Sequence, residues 1–328
     1  MVEMNERDLQ LFETIAQVPQ ATLLKSLAIL LRKYYKNNKV QVTGDYILCE
    51  GNIPIMLIAH LDTVFSNPPY DIYFDKKKQV LWSPDGLGAD DRAGVFSIIK
   101  ILQKGFRPHI CFTCEEEVGG IGAMRMVTQI PKPPFKIKYC IELDRRGASD
   151  CVFYHCDNID FEDYIESFGF ITSWGTFTDI SEICPAWKVA GVNLSIGYYN
   201  EHSISEVLKI KETYATIEKV CEMLRHADTA PEFKYIPAYV NPYIMNMMKD
   251  RINKAKNHIP QYVCKKCGKS FNEEDIIPVK GLNTKETYFY CIDCLDENVN
   301  WCMACGEPFE TTDPDKALCQ DCLDRGEI

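Results

Sequence analysis

Acidic and histidine side chains occur in five short segments of the sequence: IAHLD, GADDRAG, TCEEEVGG, IELDRRG and YNEHS. The residues in them that could do chemistry are His60, Asp62, Asp90, Glu116, Glu117, Asp144 and His202. Several carboxylates combined with two imidazoles form a ligand set that suits one or two borderline divalent metals. The sequence therefore predicts a metal site, with zinc as the first choice and manganese or cobalt as alternatives.

In two of these segments, the spacing lets one residue bind a metal while its neighbour takes a different role. His60 and Asp62 stand two residues apart, so one ring nitrogen can bind a metal while the other donates to the carboxylate. Glu116 and Glu117 are adjacent, and neighbours in an extended chain point in opposite directions. One of the two can then bind metal while the other moves protons.

The elements that must position these residues alternate along the chain. Five segments have the apolar character of buried strands: IPIMLIAHL, HICFTC, FKIKYCIEL, DCVFYHC and VNLSIGYY. A sixth segment, DIYFDKKKQVLWS, has the pattern of a hairpin. Two amphipathic helices are predicted before residue 36, another over 92–102, a short one over 122–127 and a last one over 204–224. This alternation predicts an α/β fold with a mostly parallel or mixed sheet flanked by helices. In such folds the loops at the carboxyl ends of the strands carry the site.

Five features of the sequence, in this order, together resemble the co-catalytic zinc peptidase superfamily: HLDTV, GADDRAG, EEEVGG, the later acid of IELDRRG, and EHSISE. This superfamily includes leucyl-type aminopeptidases, peptidase T and related deacylases, and the resemblance covers about residues 8–226. It implies that Asp90 bridges two catalytic zinc ions. It further implies the residues that complete each metal site, namely His60 and Asp144 for one, and Glu117 and His202 for the other.

The resemblance also implies a mechanism. Asp62 orients His60, and Glu116 is the general base that takes a proton from a water held between the metals. Asp144 and His202 are 58 positions apart and His60 and Asp90 are 30 apart. These spacings are too short for the domains that larger relatives insert there, so the chain is similar to the compact aminopeptidases.

We therefore expect a hydrolase that cleaves an amide bond, most simply an aminopeptidase that removes N-terminal residues from peptides. An N-acyl amino acid deacylase or a carboxypeptidase with the same metal centre is one alternative. An inactive, peptidase-like interaction protein is another. The substrate is then a peptide or an N-acylated small molecule.

Some polar residues near the expected site have two interpretations. Those that either touch substrate or are structural are Asp179, Tyr198 and Tyr199. Those that either receive a substrate carboxylate or balance local acids are Arg92, Arg145 and Arg146.

The tail contains half of the sixteen cysteines as four CxxC pairs. These are Cys264 and Cys267, Cys291 and Cys294, Cys302 and Cys305, and Cys319 and Cys322. Each pair can present two thiolates to one tetrahedral ion, so four pairs predict two structural zinc sites. Neighbouring pairs are expected to combine, and an interleaved pairing is the alternative. CKKCG and CMACG resemble zinc-ribbon knuckles, and a segment with so few apolar residues should need metal to fold.

Charge limits the partners of the protein. From residue 261 to 328 there are seven Lys and Arg against 14 Asp and Glu, and the whole chain has a formal charge of −11. Such surfaces repel phosphate groups, so neither nucleic acid nor an anionic membrane is an expected partner. Protein contact, self-association or substrate gating is the expected role of the tail.

The order of segments predicts three regions. We expect a dinuclear zinc peptidase-like domain over residues 1–230, a linker with a helix at about 243–256 over 231–260, and a double four-cysteine module over 261–328. The charged N-terminal segment does not resemble a signal peptide, and the longest apolar stretches are too short to span a bilayer. Together with the cysteine usage, this predicts a cytoplasmic protein.

Overall fold

The computed structural model describes residues 3–238, 262–267, 270–271, 276–282, 287–291, 294, 299–303, 308–313 and 316–325. The chain divides into two compact units, Met1–Tyr239 and Val240–Ile328.

The first unit consists of strands that alternate with helices, as the sequence predicts. Its helices are α1 (Glu6–Ala16), α2 (Gln20–Tyr34), α3 (Ala89–Gln103), α4 (Ile121–Gln129), α5 (Ile159–Glu166), α6 (Ile180–Trp187) and α7 (Ile210–Arg225). Its strands are β1 (Val40–Val42), β2 (Tyr46–Cys49), β3 (Ile53–His60), β4 (Tyr73–Asp75), β5 (Val80–Trp82), β6 (Pro108–Thr113), β7 (Tyr139–Arg145), β8 (Asp150–Val152), β9 (Ile171–Thr172), β10 (Gly191–Ser195), β11 (Tyr198–Tyr199) and β12 (Val207–Lys209). Across the described ranges, no helix combines the length and the apolar character that a membrane span requires.

The main sheet has eight strands in the order β1-β2-β6-β3-β7-β10-β8-β9. Its four central strands, β6, β3, β7 and β10, are parallel, while β1, β2 and β8 add antiparallel pairings towards the edges. The predicted α/β fold with a mixed sheet is confirmed. The four central strands therefore present their carboxyl ends at one edge of the sheet.

Strand β3 shows why both faces of this sheet are covered. Ile55, Leu57 and Ala59 point into the core cluster on one face, together with residues of α1, α2, α3 and α7. Met56 and Ile58 point into the cluster on the other face, with residues of α4 and α6. Because side chains alternate along a strand, a continuous apolar run supplies both cores at once.

A second, antiparallel sheet has the strand order β11-β12-β5-β4. The predicted hairpin is present as β4 and β5. The helix predicted from residue 204 is wrong at its start, because 207–209 form β12, which pairs with both β5 and β11. VNLSIGYY is likewise two strands in two sheets, since the chain turns at Gly197, where φ is 99°.

The boundary of the first unit lies beyond the predicted position at residue 230. Residues 231–238 pack on this unit, and the amide of Phe233 donates to the carbonyl of Lys138 at 2.9 Å. The Phe233 carbonyl accepts from Ala190 at 3.0 Å, and the Phe233 side chain is buried. The segment predicted to begin the linker is thus part of the first unit, while the predicted helix at 243–256 lies outside the described residues.

The second unit is built from short strands. These are β13 (Tyr262–Val263), β14 (Ser270–Phe271), β15 (Ile276–Lys280), β16 (Thr287–Cys291), β17 (Val299–Trp301) and β18 (Pro308–Glu310), followed by helix α8 (Gln320–Asp324). Strands β15 and β16 pair over five residues, and β17 pairs with β18. The small described cores of this unit are centred on cysteines, which fits a segment with few apolar residues.

Candidate active site

The carboxyl ends of the central strands bring the predicted acids and histidines together. His60 ends β3, Asp144 lies near the end of β7, and Asp90 lies in the first turn of α3. Glu117 follows β6, and His202 lies between β11 and β12. All five of these side chains, which come from distant parts of the sequence, meet in one cluster.

Asp90 lies at the centre of the cluster. One group with metal-ligand geometry consists of His60, Asp90 and Asp144, and a second consists of Asp90, Glu117 and His202. Within each group the possible ligand atoms are all within 4.8 Å of one another. Asp90 Oδ1 is 3.2 Å from His60 Nε2, while Asp90 Oδ2 is 3.2 Å from His202 Nε2. Each oxygen of this carboxylate therefore faces a different group.

The predicted neighbours His60 and Asp62 are close, with His60 Nδ1 3.3 Å from Asp62 Oδ1, but the contact lacks hydrogen-bond geometry and, among the described residues, Nδ1 is buried without a partner. The other ring nitrogen, Nε2, is 3.5 Å from Asp144 Oδ1. Asp62 also accepts hydrogen bonds from the amides of Glu116 and Glu117, both at 3.0 Å. Asp62 therefore fixes the loop after β6 and lies beside the imidazole ring of His60.

The loop that carries Glu116 and Glu117 differs from the expectation. Residues 116–119 form a turn, in which the carbonyl of Glu116 accepts from the amides of Gly119 and Gly120. The predicted extended segment, with the two glutamates pointing in opposite directions, is therefore wrong here, and both glutamates line the same cleft. Glu117 Oε2 is 3.1 Å from His202 Nε2.

The glycine-rich turn before α3 is held by a residue that the motif analysis did not single out. Glu206 is fully buried and accepts hydrogen bonds from the amides of Ala89 and Asp90, at 3.0 and 3.1 Å. Burial, with a further contribution from the charge of Asp90, raises the pKa of Glu206 to about 7. Its only signal in the sequence is its place at the end of EHSISE.

Asp91 fixes the same turn, and the peptide bond between Asp90 and Asp91 is cis. The carboxylate of Asp91 accepts from the amide of His60 at 3.2 Å and from that of Gly94 at 2.9 Å. Arg92 points elsewhere, donating to the carbonyls that end α1 and precede α2. Arg92 does not line the cleft that Asp90 and the glutamates line.

Asp144 is held on several sides by neutral donors. Tyr198 donates from its hydroxyl to Asp144 Oδ1 at 3.2 Å, and Thr178 donates to Oδ2 at 3.1 Å. The Asn193 side chain pairs with the Asp144 backbone in both directions, at 2.9 Å each. Tyr198, one of the candidates for substrate contact, therefore positions a candidate ligand.

The other two candidates for substrate contact do not line this cleft. Tyr199 donates its hydroxyl to Glu212 at 2.6 Å. Asp179 is fully buried and accepts from the hydroxyl of Thr113. Both side chains therefore bind other residues of the protein instead of lining this cleft.

The charges of the cluster favour a bound cation. Burial and the charge of Asp90 raise the pKa of Glu117 to about 7 and that of Asp144 to about 6. Burial also acts to raise the pKa of Asp90, but hydrogen bonds from His202 and His60 outweigh it and hold that pKa below its usual range. In the described part of the chain, Glu117 Oε1 is buried without a hydrogen-bond partner. Crowded, desolvated carboxylates of this kind fit divalent cations.

Comparison with known proteins comes from structure alone. No family model matches the sequence, and no match was found among curated proteins. Aminopeptidase PepT from Bacillus cereus matches with a TM-score of 0.51 and 15% identity, over 68% of this chain and 98% of that chain. A tripeptidase from Staphylococcus aureus matches with a TM-score of 0.53 and 13% identity, over 70% of this chain and 100% of that chain. A TET aminopeptidase from a marine sediment thaumarchaeon matches with a TM-score of 0.51 and 12% identity, over 67% of this chain and 97% of that chain. The chain has the aminopeptidase fold.

In this aminopeptidase fold, a cleft of about 180 Å³ opens beside the cluster. It is lined by Asp90, Glu116, Glu117, Asp144, Arg145, Arg146, Tyr154, Phe177, Tyr198, Glu201 and His202. Glu116 is thus exposed to the same space as four of the candidate ligands. A substrate in the cleft would meet the candidate base and the candidate metal centre together.

We expect Tyr198→Phe to weaken metal binding by about tenfold to a hundredfold, because it removes the donor that orients Asp144. Titration of the metal-loaded protein with a competing chelator measures this change. Tyr199→Phe is the matched control, since its hydroxyl contacts Glu212 on α7. Equal metal affinity in Tyr198→Phe and the control would contradict a role for Tyr198 in positioning Asp144.

The cysteines of the second unit form two groups of their own. Cys264, Cys267 and Cys294 lie together, and so do Cys302, Cys319 and Cys322, with ligand atoms within 4.8 Å in each group. Each group joins neighbouring CxxC motifs, which agrees with sequential pairing. The Cys291 side chain and the whole of Cys305 lie outside what the structure describes.

Proposed function

We propose that the protein is a metal-dependent aminopeptidase with a co-catalytic pair of divalent metals, zinc as the first choice and manganese or cobalt as alternatives. The observation that carries the proposal is the carboxylate of Asp90, which faces His60 with one oxygen and His202 with the other. Two ligand groups that share one carboxylate match a site for two metals. The aminopeptidase fold and the cleft beside the cluster support the same function.

The donor set divides between the two metals. Asp90 with His60 and Asp144 would hold one ion, and Asp90 with Glu117 and His202 would hold the other. Each group combines imidazole nitrogen with carboxylate oxygen, the mixture that zinc accepts in catalytic sites.

Bound cations at this position would polarise the scissile carbonyl and acidify a water molecule. The residues of the chain manage the protons. Glu116 takes one proton from the attacking water and returns it to the leaving nitrogen, so that the amide bond is replaced by an acid and an amine. Asp62 keeps His60 in one orientation and, through its bonds to the amides of Glu116 and Glu117, keeps the base in place.

A panel of matched substrates tests the reaction class. The metal-loaded protein should release the anilide from a free aminoacyl anilide and should leave its N-acetylated twin intact. Hydrolysis of N-acyl amino acids alone would instead indicate a deacylase, and removal of C-terminal residues from peptides a carboxypeptidase. Full metal content with no hydrolysis of any of these substrates would leave the interaction-protein alternative.

The tail is proposed to hold two structural zinc ions, one at each cysteine group. Cys302→Ser is expected to lower the metal content of the full chain from about four ions to about three, because a four-thiolate site tolerates few losses. Elemental analysis measures the change. Cys221→Ser, a buried cysteine of α7, is the matched control and should retain all the metal. Unchanged metal content in Cys302→Ser would contradict a zinc site there.

The acidic tail is proposed to mediate protein contact or self-association rather than binding to nucleic acid. The eight cysteines of the first unit are all buried and form no disulfide. This usage, with thiolate metal sites in the tail, supports a reducing compartment, and we propose the cytoplasm.

A further inference from the structure

Two arginines lie directly after a candidate metal ligand and line the cleft. Arg145 ends β7, Arg146 follows it, and both come after Asp144 in the chain. Apart from the candidate ligands and Glu116, the charged residues of the cleft are these two arginines and Glu201. The two arginines therefore supply the guanidinium groups on the side of the cleft next to Asp144.

The backbone that presents the arginines is firmly held. The carbonyl of Arg145 accepts from the amide of Ile196 at 2.8 Å, and the carbonyl of Arg146 accepts from the hydroxyl of Ser195 at 2.7 Å. The amide of Gly147 then donates at 3.0 Å to the first residue of β11. The pair is thus fixed to the sheet, which favours binding because little ordering is needed.

The guanidinium of Arg145 has more donors than partners. Its Nη2 donates to the carbonyl of Trp174 at 3.1 Å, and Asp150 Oδ2 is 3.6 Å away, beyond hydrogen-bond range. Its Nε is buried and, among the described residues, has no hydrogen-bond partner. Arginine carries five N–H donors in a planar fork that matches a carboxylate.

Balancing the metal-site acids does not account for the pair. Within the described residues, neither arginine forms an ion pair with Asp90, Asp144 or Glu117; Arg145 is instead near Asp150. Arg146 bonds Glu201 at 2.7 Å, while its side chain stays 58% exposed. Donor capacity is therefore left over on the side of the cleft next to Asp144.

We propose that Arg145 and Arg146 bind a carboxylate of the substrate, an inference that rests on the proposed function. The enzyme then prefers peptides that place a negative charge in this cleft. The carboxylate comes either from an acidic N-terminal side chain or from the free C-terminus of a short peptide. Both sources offer the planar, two-oxygen group that an arginine fork recognises.

Matched substrates with and without the charge test this preference. In one arm, a glutamyl anilide is compared with its glutaminyl twin; in the other, an apolar dipeptide is compared with the same dipeptide as its C-terminal amide. We expect kcat/KM for the charged member to be about tenfold to a hundredfold higher in one arm, chiefly through a lower KM. The arm that shows the effect identifies the source of the carboxylate.

Variants then assign the preference to the pair. Arg145→Gln and Arg146→Gln should each reduce the ratio between charged and uncharged substrates, and Arg145→Lys should keep part of it. Arg225→Gln is the matched control, because this exposed arginine pairs with Glu222 on α7 and does not line the cleft. In this control, the ratio of kcat/KM between charged and uncharged substrates should equal that of the wild type.

Two outcomes would overturn the inference and leave the proposed function intact. One is hydrolysis of all substrates with a ratio near one in both arms. The other is a preference for the charged substrates that persists when both arginines are replaced by glutamine. Absence of hydrolysis for every substrate would contradict the proposed function and, with it, this inference.

Discussion

Glu116→Gln is expected to lower kcat by about 10²- to 10⁴-fold while leaving the metal content of the protein unchanged. Glutamine keeps the size of the side chain but cannot take a proton from water and return it to the leaving nitrogen. Burial, with the charges of neighbouring acids, raises the pKa of Glu116 to about 9, and bound cations beside it would lower that pKa. Steady-state kinetics on an aminoacyl anilide, with elemental analysis of the same sample, measures both effects.

The neighbouring residue offers a close control for this experiment. Glu115→Gln makes the same chemical change in the same EEE segment, but the Glu115 side chain is 42% exposed and does not line the cleft. Its activity should stay within about twofold of the wild type. Full activity in Glu116→Gln, or an equal loss in both variants, would contradict Glu116 as the base.

Asp90→Ala is expected to remove both catalytic metals and to lower activity by about 10⁴-fold or more. The reason is that its carboxylate belongs to both ligand groups, whereas every other candidate ligand belongs to one. Metal content should fall from about four ions per chain to about two, held by the tail. Elemental analysis of the full chain measures the metal content, and the anilide assay measures the activity.

Asp85→Asn is the control for this change, because Asp85 precedes the same glycine-rich turn and is exposed. It should keep both its metals and its activity. His202→Ala separates the sites further, since it should affect only the group that contains Glu117. An Asp90→Ala variant that retains the full metal content would show that Asp90 does not bridge.

The sequence predicts the sheet well where local pattern and tertiary packing agree. In β3 a continuous apolar run predicts a strand buried on both faces. In the structure, Ile55 and Leu57 lie in the core on one face of the sheet, and Met56 and Ile58 lie in the core on the other. The carboxyl-end rule for parallel strands then brings His60 and Asp144 together without any knowledge of the loops.

The features that sequence analysis missed depend on contacts between distant segments. Val207–Lys209 follows a helical pattern locally, but pairing with β5 and β11 makes it a strand. The place of Glu206 at the end of EHSISE does not reveal its role, because the amides that it binds lie 116 and 117 residues earlier in the chain. The turn at 116–119 is stabilised by the carboxylate of Asp62, which a strand pattern cannot reveal.

Anomalous diffraction at the zinc edge, from crystals of the metal-loaded full-length protein, tests the central claim most directly. We predict two peaks, one on either side of the Asp90 carboxylate, in addition to those at the cysteine groups. One should contact His60 and Asp144, and the other Glu117 and His202. A single peak at this cluster, or none while the cysteine sites are filled, would contradict the co-catalytic centre.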